Sequence, residues 1–340
     1  MPLEIELLKW YSFNKRNLPW RKNNDPYRVW VSEIILQQTR ITQGKKYFND
    51  FIDKFPTIYD LANSDEDTVL KSWQGLGYYN RAINLHKTAK FIVNNLGGKF
   101  PTTYDQLIKL KGIGDYTASA ISSICFDRYH PVVDGNVLRF ISRIYGNKIP
   151  VDSTQGKKKV KEFANKLIHK TETPGDFNQA LMEYGALLCT PFPDCQLCIF
   201  NSKCVAFKNN RVDLIPIKTQ KKKIRNRYFN YLVFKDNDGK TFINQRTEKD
   251  IWYKLYQFPL IEQDALVDDI TSSSDFSEYL VNNKLKITNS KHKIIRYKHI
   301  LSHQNLFIAF YLINLNTVIN DGHDISNLND FTFPVPISNF

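Results

Sequence analysis

Apolar residues recur at helical spacing through the first two-thirds of the chain and at strand spacing through the last third. Residues 3–15 place Leu3, Leu7, Leu8, Trp10 and Tyr11 along one helix, and Asn17-Leu18-Pro19-Trp20-Arg21 ends it. A second helix is predicted from Asp25-Pro26, with the proline in its first turn, through Val29-Trp30-Val31-Ser32-Glu33-Ile34-Ile35-Leu36 to Arg40. Residues 41–100 read as further helices, broken at Phe55-Pro56 and at Gly75-Leu76-Gly77-Tyr78-Tyr79. An apolar run with Leu107, Ile108 and Leu110 breaks at Lys111-Gly112-Ile113-Gly114 and resumes at Tyr116 with small residues, which predicts two helices joined by a Gly-x-Gly hairpin. Residues 157–167 and 178–186 add two more helices. Beyond residue 225 the pattern changes: 228–234 is aromatic and β-branched, Asp236-Asn237-Asp238-Gly239 is a turn, and 241–245 reads as the return strand of a hairpin. Strand-like runs at 294–297 and 306–313, with a helix near 274–283, make this an α+β domain following an all-α region.

Charge sharpens that division. The 340 residues carry 47 Lys+Arg against 34 Asp+Glu. Residues 1–225 hold 35 basic and 21 acidic side chains, whereas 226–340 hold 12 and 13, so the all-α part is the one suited to a polyanion. No apolar run reaches the roughly 20 residues needed to span a bilayer, and residues 1–10 lack a signal-peptide pattern. The expectation is a soluble intracellular protein, cytoplasmic and nucleoid-associated in a prokaryote, with nucleus or mitochondrion the alternatives. Lys157-Lys158-Lys159-Val160-Lys161 is assigned to general charge, and residues 206–225, ending in Lys221-Lys222-Lys223-Ile224-Arg225, to a basic linker or a nuclear-import signal.

Several positions carry candidate chemistry. Glu33 has Val29, Trp30 and Leu36 as helical neighbours; an apolar wall there would raise its pKa and keep a proton available near neutrality, unless Glu33, Gln37 and Arg40 form a polar stripe facing water. Asp134 lies in Val132-Val133-Asp134-Gly135-Asn136, an acid between an apolar pair and a turn glycine, where a plain helix cap is the simpler reading. Gly112 and Gly114 leave bare N–H groups at a helix start, a seat for a phosphate. The Gly75–Tyr79 loop has the composition of a wedge against stacked bases, or of a turn whose aromatics fold inward. Cys189, Cys195, Cys198 and Cys204 pack four thiols into sixteen residues, enough to enclose one tetrahedral zinc or one cubane iron–sulfur cluster. Lys203, Lys208 and Arg211 beside them point that loop toward DNA phosphates, and the isolated Cys125 reads as a buried apolar residue.

Together these segments resemble the adenine DNA glycosylase (MutY) family of helix–hairpin–helix base-excision enzymes, over essentially the whole chain. The matching residues are Leu18-Pro19-Trp20-Arg21, Ser32-Glu33-Ile34-Ile35-Leu36-Gln37-Gln38-Thr39, Gly75-Leu76-Gly77-Tyr78-Tyr79, the hairpin with Tyr116, Val133-Asp134-Gly135-Asn136, and the four cysteines. The resemblance implies a catalytic region over 1–225, with a six-helix subdomain at about 27–135, a cluster subdomain from 1–26 and 136–205, and the linker, followed by a Nudix-like 8-oxoguanine recognition domain over 226–340. It implies a [4Fe-4S] cluster on Cys189, Cys195, Cys198 and Cys204. It implies a monomer acting on duplex DNA with adenine opposite 8-oxoguanine or guanine, in which Glu33 protonates adenine N7, Asp134 stabilises the oxocarbenium-like sugar and Asn136 orients Asp134 or water. Tyr116 stands where bifunctional relatives carry a Schiff-base lysine. Arg21, Gln38, Thr39, Leu76, Tyr78, Gly112 and Gly114 fall at DNA or lesion contacts, as do Ser302 and His303 in His299-Ile300-Leu301-Ser302-His303, which matches a Phe-Ser-His loop. The chain departs from the family at Leu301, where an aromatic is usual, at the five-residue first cysteine gap, usually six, and at Lys111, commonly proline.

Three other functions compete: an endonuclease III-like glycosylase/lyase on oxidised pyrimidines, a nucleotide pyrophosphohydrolase housed in the C-terminal domain, and a non-catalytic DNA-binding scaffold. Tyr116 and the extra domain argue against the first. The second needs a helix dense in glutamates to hold Mg²⁺, and residues 262–280 offer only scattered acids.

Overall fold

Side-chain caps fix several of the helix starts. Asp25 accepts from the Tyr27 N–H, Thr57 and Asp60 form a reciprocal capping box, and Asp65, Asp134 and Ser153 cap the helices that follow them. The computed structural model describes residues 1–219, 224–288 and 292–340. Its helices are α1 (Leu3–Asn14), α2 (Pro26–Leu36), α3 (Ile41–Lys54), α4 (Ile58–Asn63), α5 (Glu66–Ser72), α6 (Asn80–Leu96), α7 (Tyr104–Leu107), α8 (Asp115–Phe126), α9 (Gly135–Tyr145), α10 (Thr154–Ile168), α11 (Pro174–Leu187), α12 (Val205–Lys208), α13 (Ser274–Asn282) and α14 (Val335–Ser338). None is long and apolar enough to cross a membrane among the described residues.

The chain divides into two compact units, Met1–Ser64 with Ile83–Gln220, and Asp65–Ala82 with Lys221–Phe340. The segment Asp65–Ala82, expected within the helical subdomain, therefore groups with the strands: Lys71 Nζ donates to the carbonyls of Asn329 (2.5 Å) and Phe331 (3.1 Å). In the helical unit, α1, α9, α10 and α11 close round Leu7, Phe140, Val160, Phe177, Leu181, Tyr184 and Phe200. Ile215 joins that core at 2% exposure, Val151 N–H donates to Ile217 O, and Thr219 bonds to Asp152. Residues 206–219 are thus packed structure rather than linker; Lys221, Lys222 and Lys223 lie outside the described residues.

Two helix predictions change. α2 ends at Leu36, not Arg40, because Gln38 takes a left-handed conformation (φ 60°) that no glycine announces. The first arm of the hairpin is a single turn, α7, followed by tight turns through Leu110 to Gly112, where φ is +78° and a Cβ would sit 2.7 Å from that of Asn84. That position requires glycine. Gly114, at φ −92° with open space around it, does not.

The strand-rich unit is built on β1 (Arg225–Lys235), β5 (Leu260–Gln263), β6 (Lys293–Ile300) and β7 (Gln304–Asn314), in the order β5-β1-β7-β6. β1 runs parallel to β7 in the register Tyr231↔Phe310 and antiparallel to β5. The expected hairpin is absent: β2 (Lys240–Thr241) pairs instead with β8 (His323–Asp324), while β3 (Asn244–Gln245) pairs with β4 (Tyr256–Gln257). Both faces of β1 are covered, Phe229 and Tyr231 packing with Phe258, Phe310 and Phe333, and Leu232 and Phe234 with Ile270, Phe276 and Tyr311. A strand buried on both sides reads as a continuous apolar run and gives no alternation to locate its partner.

Candidate active site

Glu33 sits two turns into α2, a helix that buries Tyr27, Val29, Trp30, Val31, Ser32, Ile34 and Ile35 as well. The residue is 7% exposed. Burial pushes its pKa up to about 7; a hydrogen bond from Tyr116 and the charge of Arg21 hold it back, and the Asp134 charge adds to the rise. The polar stripe facing water is therefore excluded.

Asp134 is the N-cap of α9 and also part of the same cavity. Its Oδ1 accepts from the Val137 N–H at 2.7 Å and its Oδ2 from Asn136 Nδ2 at 2.8 Å. Burial raises its pKa, while these hydrogen bonds and the charge of Arg139 favour the carboxylate. Tyr116, the second residue of α8, places its hydroxyl toward Glu33 and 3.4 Å from Met182 Sδ, and burial first, then Glu33, drives the phenol well above its usual range. Glu33, Asp134, Tyr116, Asn136, Arg21 and Thr39 all line one cavity of about 180 Å³.

Sequence reading missed the far wall of this cavity. Glu183, on α11 and 1% exposed, accepts from Arg16 N (2.8 Å), Nε (2.8 Å) and Nη2 (2.7 Å), and from Arg21 Nη2 (2.9 Å). Burial would raise its pKa, but the two guanidinium groups outweigh burial and hold it at about 2. An acid embedded in Leu181-Met182-Glu183-Tyr184 carries the same signal that singled out Glu33.

α9 also ties the site to the cysteines. Gly185 on α11 lets the helices meet, since a Cβ there would lie 2.7 Å from Asn136 O. Arg139 donates to Asn136 Oδ1 (2.9 Å), Gly185 O (2.7 Å) and Cys189 O (2.7 Å). One turn on, Arg143, 3% exposed, donates to Thr190 O (2.6 Å), Pro191 O (3.0 Å), Ile215 O (2.9 Å) and Cys189 Sγ (3.5 Å). Cys189, Cys195, Cys198 and Cys204 line a single small cavity, with the Tyr184 hydroxyl 3.1 Å from Cys198 Sγ. Among the described residues no three ligand side chains stand close enough to grip a single ion. Lys203 is bound to Glu6 (2.5 Å) and Met1 O (2.6 Å).

The remaining expected residues lie elsewhere. Gln38 is exposed at the end of α2, and Gly112 and Gly114 form the turn before α8. Within the strand-rich unit Leu76, Tyr78, Ser302 and His303 share a second cavity, where the Tyr78 hydroxyl donates to Ser302 Oγ at 3.0 Å. Cys125 is half-buried, and burial pushes its thiol up to about 12.

Residues 31–170 match the HhH-GPD superfamily of base excision DNA repair proteins, and 230–340 match the NUDIX domain. An adenine DNA glycosylase of Buchnera aphidicola subsp. Schizaphis graminum is 38% identical, over 97% of this chain and 95% of the relative. The chain belongs to the adenine DNA glycosylase family. The family relative from Arabidopsis thaliana is 36% identical over 82% of this chain and 50% of its own length. Among solved structures, a thermostable thymine-DNA glycosylase is similar at TM-score 0.56 and 28% identity, covering 61% of this chain and 95% of that one. A non-covalent endonuclease III–DNA complex matches at TM-score 0.52 and 21% identity, over 61% and 94%, a likeness of fold. The family's helical core and strand-rich Nudix-like domain are both present.

Proposed function

We propose that this chain hydrolyses the N-glycosidic bond of adenine mispaired with 8-oxoguanine or guanine in duplex DNA, without strand cleavage. The observation that carries the reading is the shared cavity of Glu33 and Asp134, two acids in unlike surroundings. Glu33, its pKa near 7, donates a proton to adenine N7, so the base leaves neutral. Asp134, held by Val137 and Asn136, sets its charge against the oxocarbenium-like sugar as the bond to C1′ opens. Water then adds at C1′ and gives up a proton to the Glu33 carboxylate left by the first step, which restores the acid. Tyr116 fixes the Glu33 carboxyl, and the cavity lining includes arginines but no lysine among the described residues, so no amine is placed to form a Schiff base.

Four soft thiols around one cavity, with the buried Arg143 cation against Cys189, suit an iron–sulfur cluster. Cys189, Cys195, Cys198 and Cys204 would hold a [4Fe-4S] cluster that braces the loop; the proton transfer and sugar stabilisation belong to Glu33 and Asp134. Arg21 and Glu183 would meet the extruded adenine, and the turn at Gly112 and Gly114 a phosphate. Against a pyrophosphohydrolase stands the engagement of three of its scattered acids, Glu262 by Arg227, Asp269 by Thr271 and His292, and Asp275 by Gln263. Single-turnover assays on duplexes with A opposite 8-oxoguanine, with and without alkali, test the proposal. Breaks only after alkali support it; no base release, or breaks without alkali, overturns it.

A further inference from the structure

A polar contact in the cavity around Glu33 has no part in the chemistry above. α11 turns one face to that cavity, Gln179, Met182, Glu183 and Ala186 at helical spacing, while Phe177, Ala180, Leu181 and Tyr184 go into the core. Met182 is the chain's sole methionine after Met1. Leucine would fill an apolar position on a helix as well. What methionine adds is an acceptor, and its Sδ lies 3.4 Å from the Tyr116 hydroxyl. That hydroxyl also bonds to Glu33. A phenol has one proton to donate, so the carboxyl and the thioether compete for it.

Which acceptor wins depends on the charge of Glu33. An ionised carboxylate takes the proton, because a charge-assisted bond is roughly twice as strong as a neutral one. A protonated Glu33 holds it weakly, and the phenol can then turn to sulfur while its oxygen accepts from the acid. We propose that the Met182 thioether is the alternate acceptor for the Tyr116 hydroxyl and thereby keeps Glu33 in its acid form. The inference rests on the function proposed above and adds a positioning residue to it, one that acts through Tyr116. An extruded adenine strips water from the cavity, so an acceptor built into the wall counts most when the proton is about to move. The other groups that titrate or carry charge around Glu33 are Arg21, ahead of α2, Cys125 on α8, Asp134 on α9, and Glu183 with Arg16 on the far wall. Exchanging sulfur for carbon at Met182 changes none of them.

The test is the pH profile of single-turnover adenine release opposite 8-oxoguanine for the full chain, Met182→Leu, Tyr116→Phe and the double variant. The Glu33 titration is followed in parallel by NMR of labelled glutamate carboxyls. Met182→Leu moves the limb where the rate falls with rising pH about half a pH unit lower, a loss of about threefold above neutrality, the scale of one weak hydrogen bond. Tyr116→Phe moves that limb higher, and on that background Met182→Leu adds nothing. A packing role alone would scale the rate at every pH and leave the limb in place. Norleucine, incorporated in place of both methionines, keeps the side-chain length without the sulfur and gives the same shift should Met182→Leu not fold. An unmoved limb in either folded form, or an equal shift in the Tyr116→Phe background, overturns the assignment. If the unmodified chain releases no adenine, the proposed function fails, and the NMR titration alone then decides on Met182.

Discussion

Two glutamates line one 180 Å³ cavity and titrate at opposite ends of the carboxylate range, Glu33 at about 7 and Glu183 at about 2. Both are buried, so burial cannot explain the difference. Glu33 rises from an apolar helix, accepts from the neutral Tyr116 hydroxyl and feels the Asp134 charge against that of Arg21, whereas Glu183 is clasped by Arg16 and Arg21 directly. Partners decide the protonation state once water is gone. One wall keeps a proton to give away, and the other keeps a fixed charge.

The sharpest break in this pairing is Glu33→Gln, which removes the donor and leaves the cavity shape. Base release in single turnover should fall on the order of 10²–10⁴-fold, while a gel-shift assay shows duplex binding retained. Undiminished release would end the general-acid assignment. In the unmodified chain the rate should decline as pH rises through about 7, where Glu33 loses its proton.

Glu183→Ala attacks the other wall. It strands two guanidinium groups and should cost about 3–5 kcal/mol in urea unfolding at pH 7. The carboxyl is held at about 2, below its ordinary 4.5, so its contribution is present above pH 4.5 and drains away as pH falls toward 2. The penalty of the variant should therefore shrink in acid.

Glu33 has the opposite sign. Its folded pKa exceeds the ordinary 4.5, so the native state holds a proton that the unfolded chain releases, and stability declines between pH 4.5 and 7. Glu33→Gln escapes this and should be more stable by about 3 kcal/mol at pH 8, with no advantage below pH 4. A catalytically dead variant that melts higher than its parent only at high pH would separate the two glutamates by sign alone. The smallest effect tests the turn before α8: Gly112→Ala, at φ +78° against Asn84, should cost about 1–2 kcal/mol, visible as a lower melting temperature.

The pattern of residues announced some of this and hid the rest for definite reasons. Glu33 was legible because Val29, Trp30 and Leu36 surround it at helical spacing, and Asp134 because an acid stood beside an apolar pair. Glu183 had a comparable setting, but its arginines lie 167 and 162 residues away, and local spacing cannot pair groups so far apart. The early end of α2 occurs without glycine, so nothing in the residue types marked it. The hairpin expected after β1 failed because both faces of that strand are buried, which removes the alternation that would have identified its neighbour.

That neighbour carries a consequence for biosynthesis. β1 emerges from the ribosome as Arg-Asn-Arg-Tyr-Phe-Asn-Tyr-Leu-Val-Phe-Lys, and the strand it must lie beside along its whole length starts at Gln304. β5 arrives sooner but shields only Tyr228 to Tyr231 on one side. For that interval the most adhesive ribbon of the protein travels with an open flank, able to zip onto a sister chain on the same message. Nascent chains halted before residue 304 should be the ones that chaperones seize.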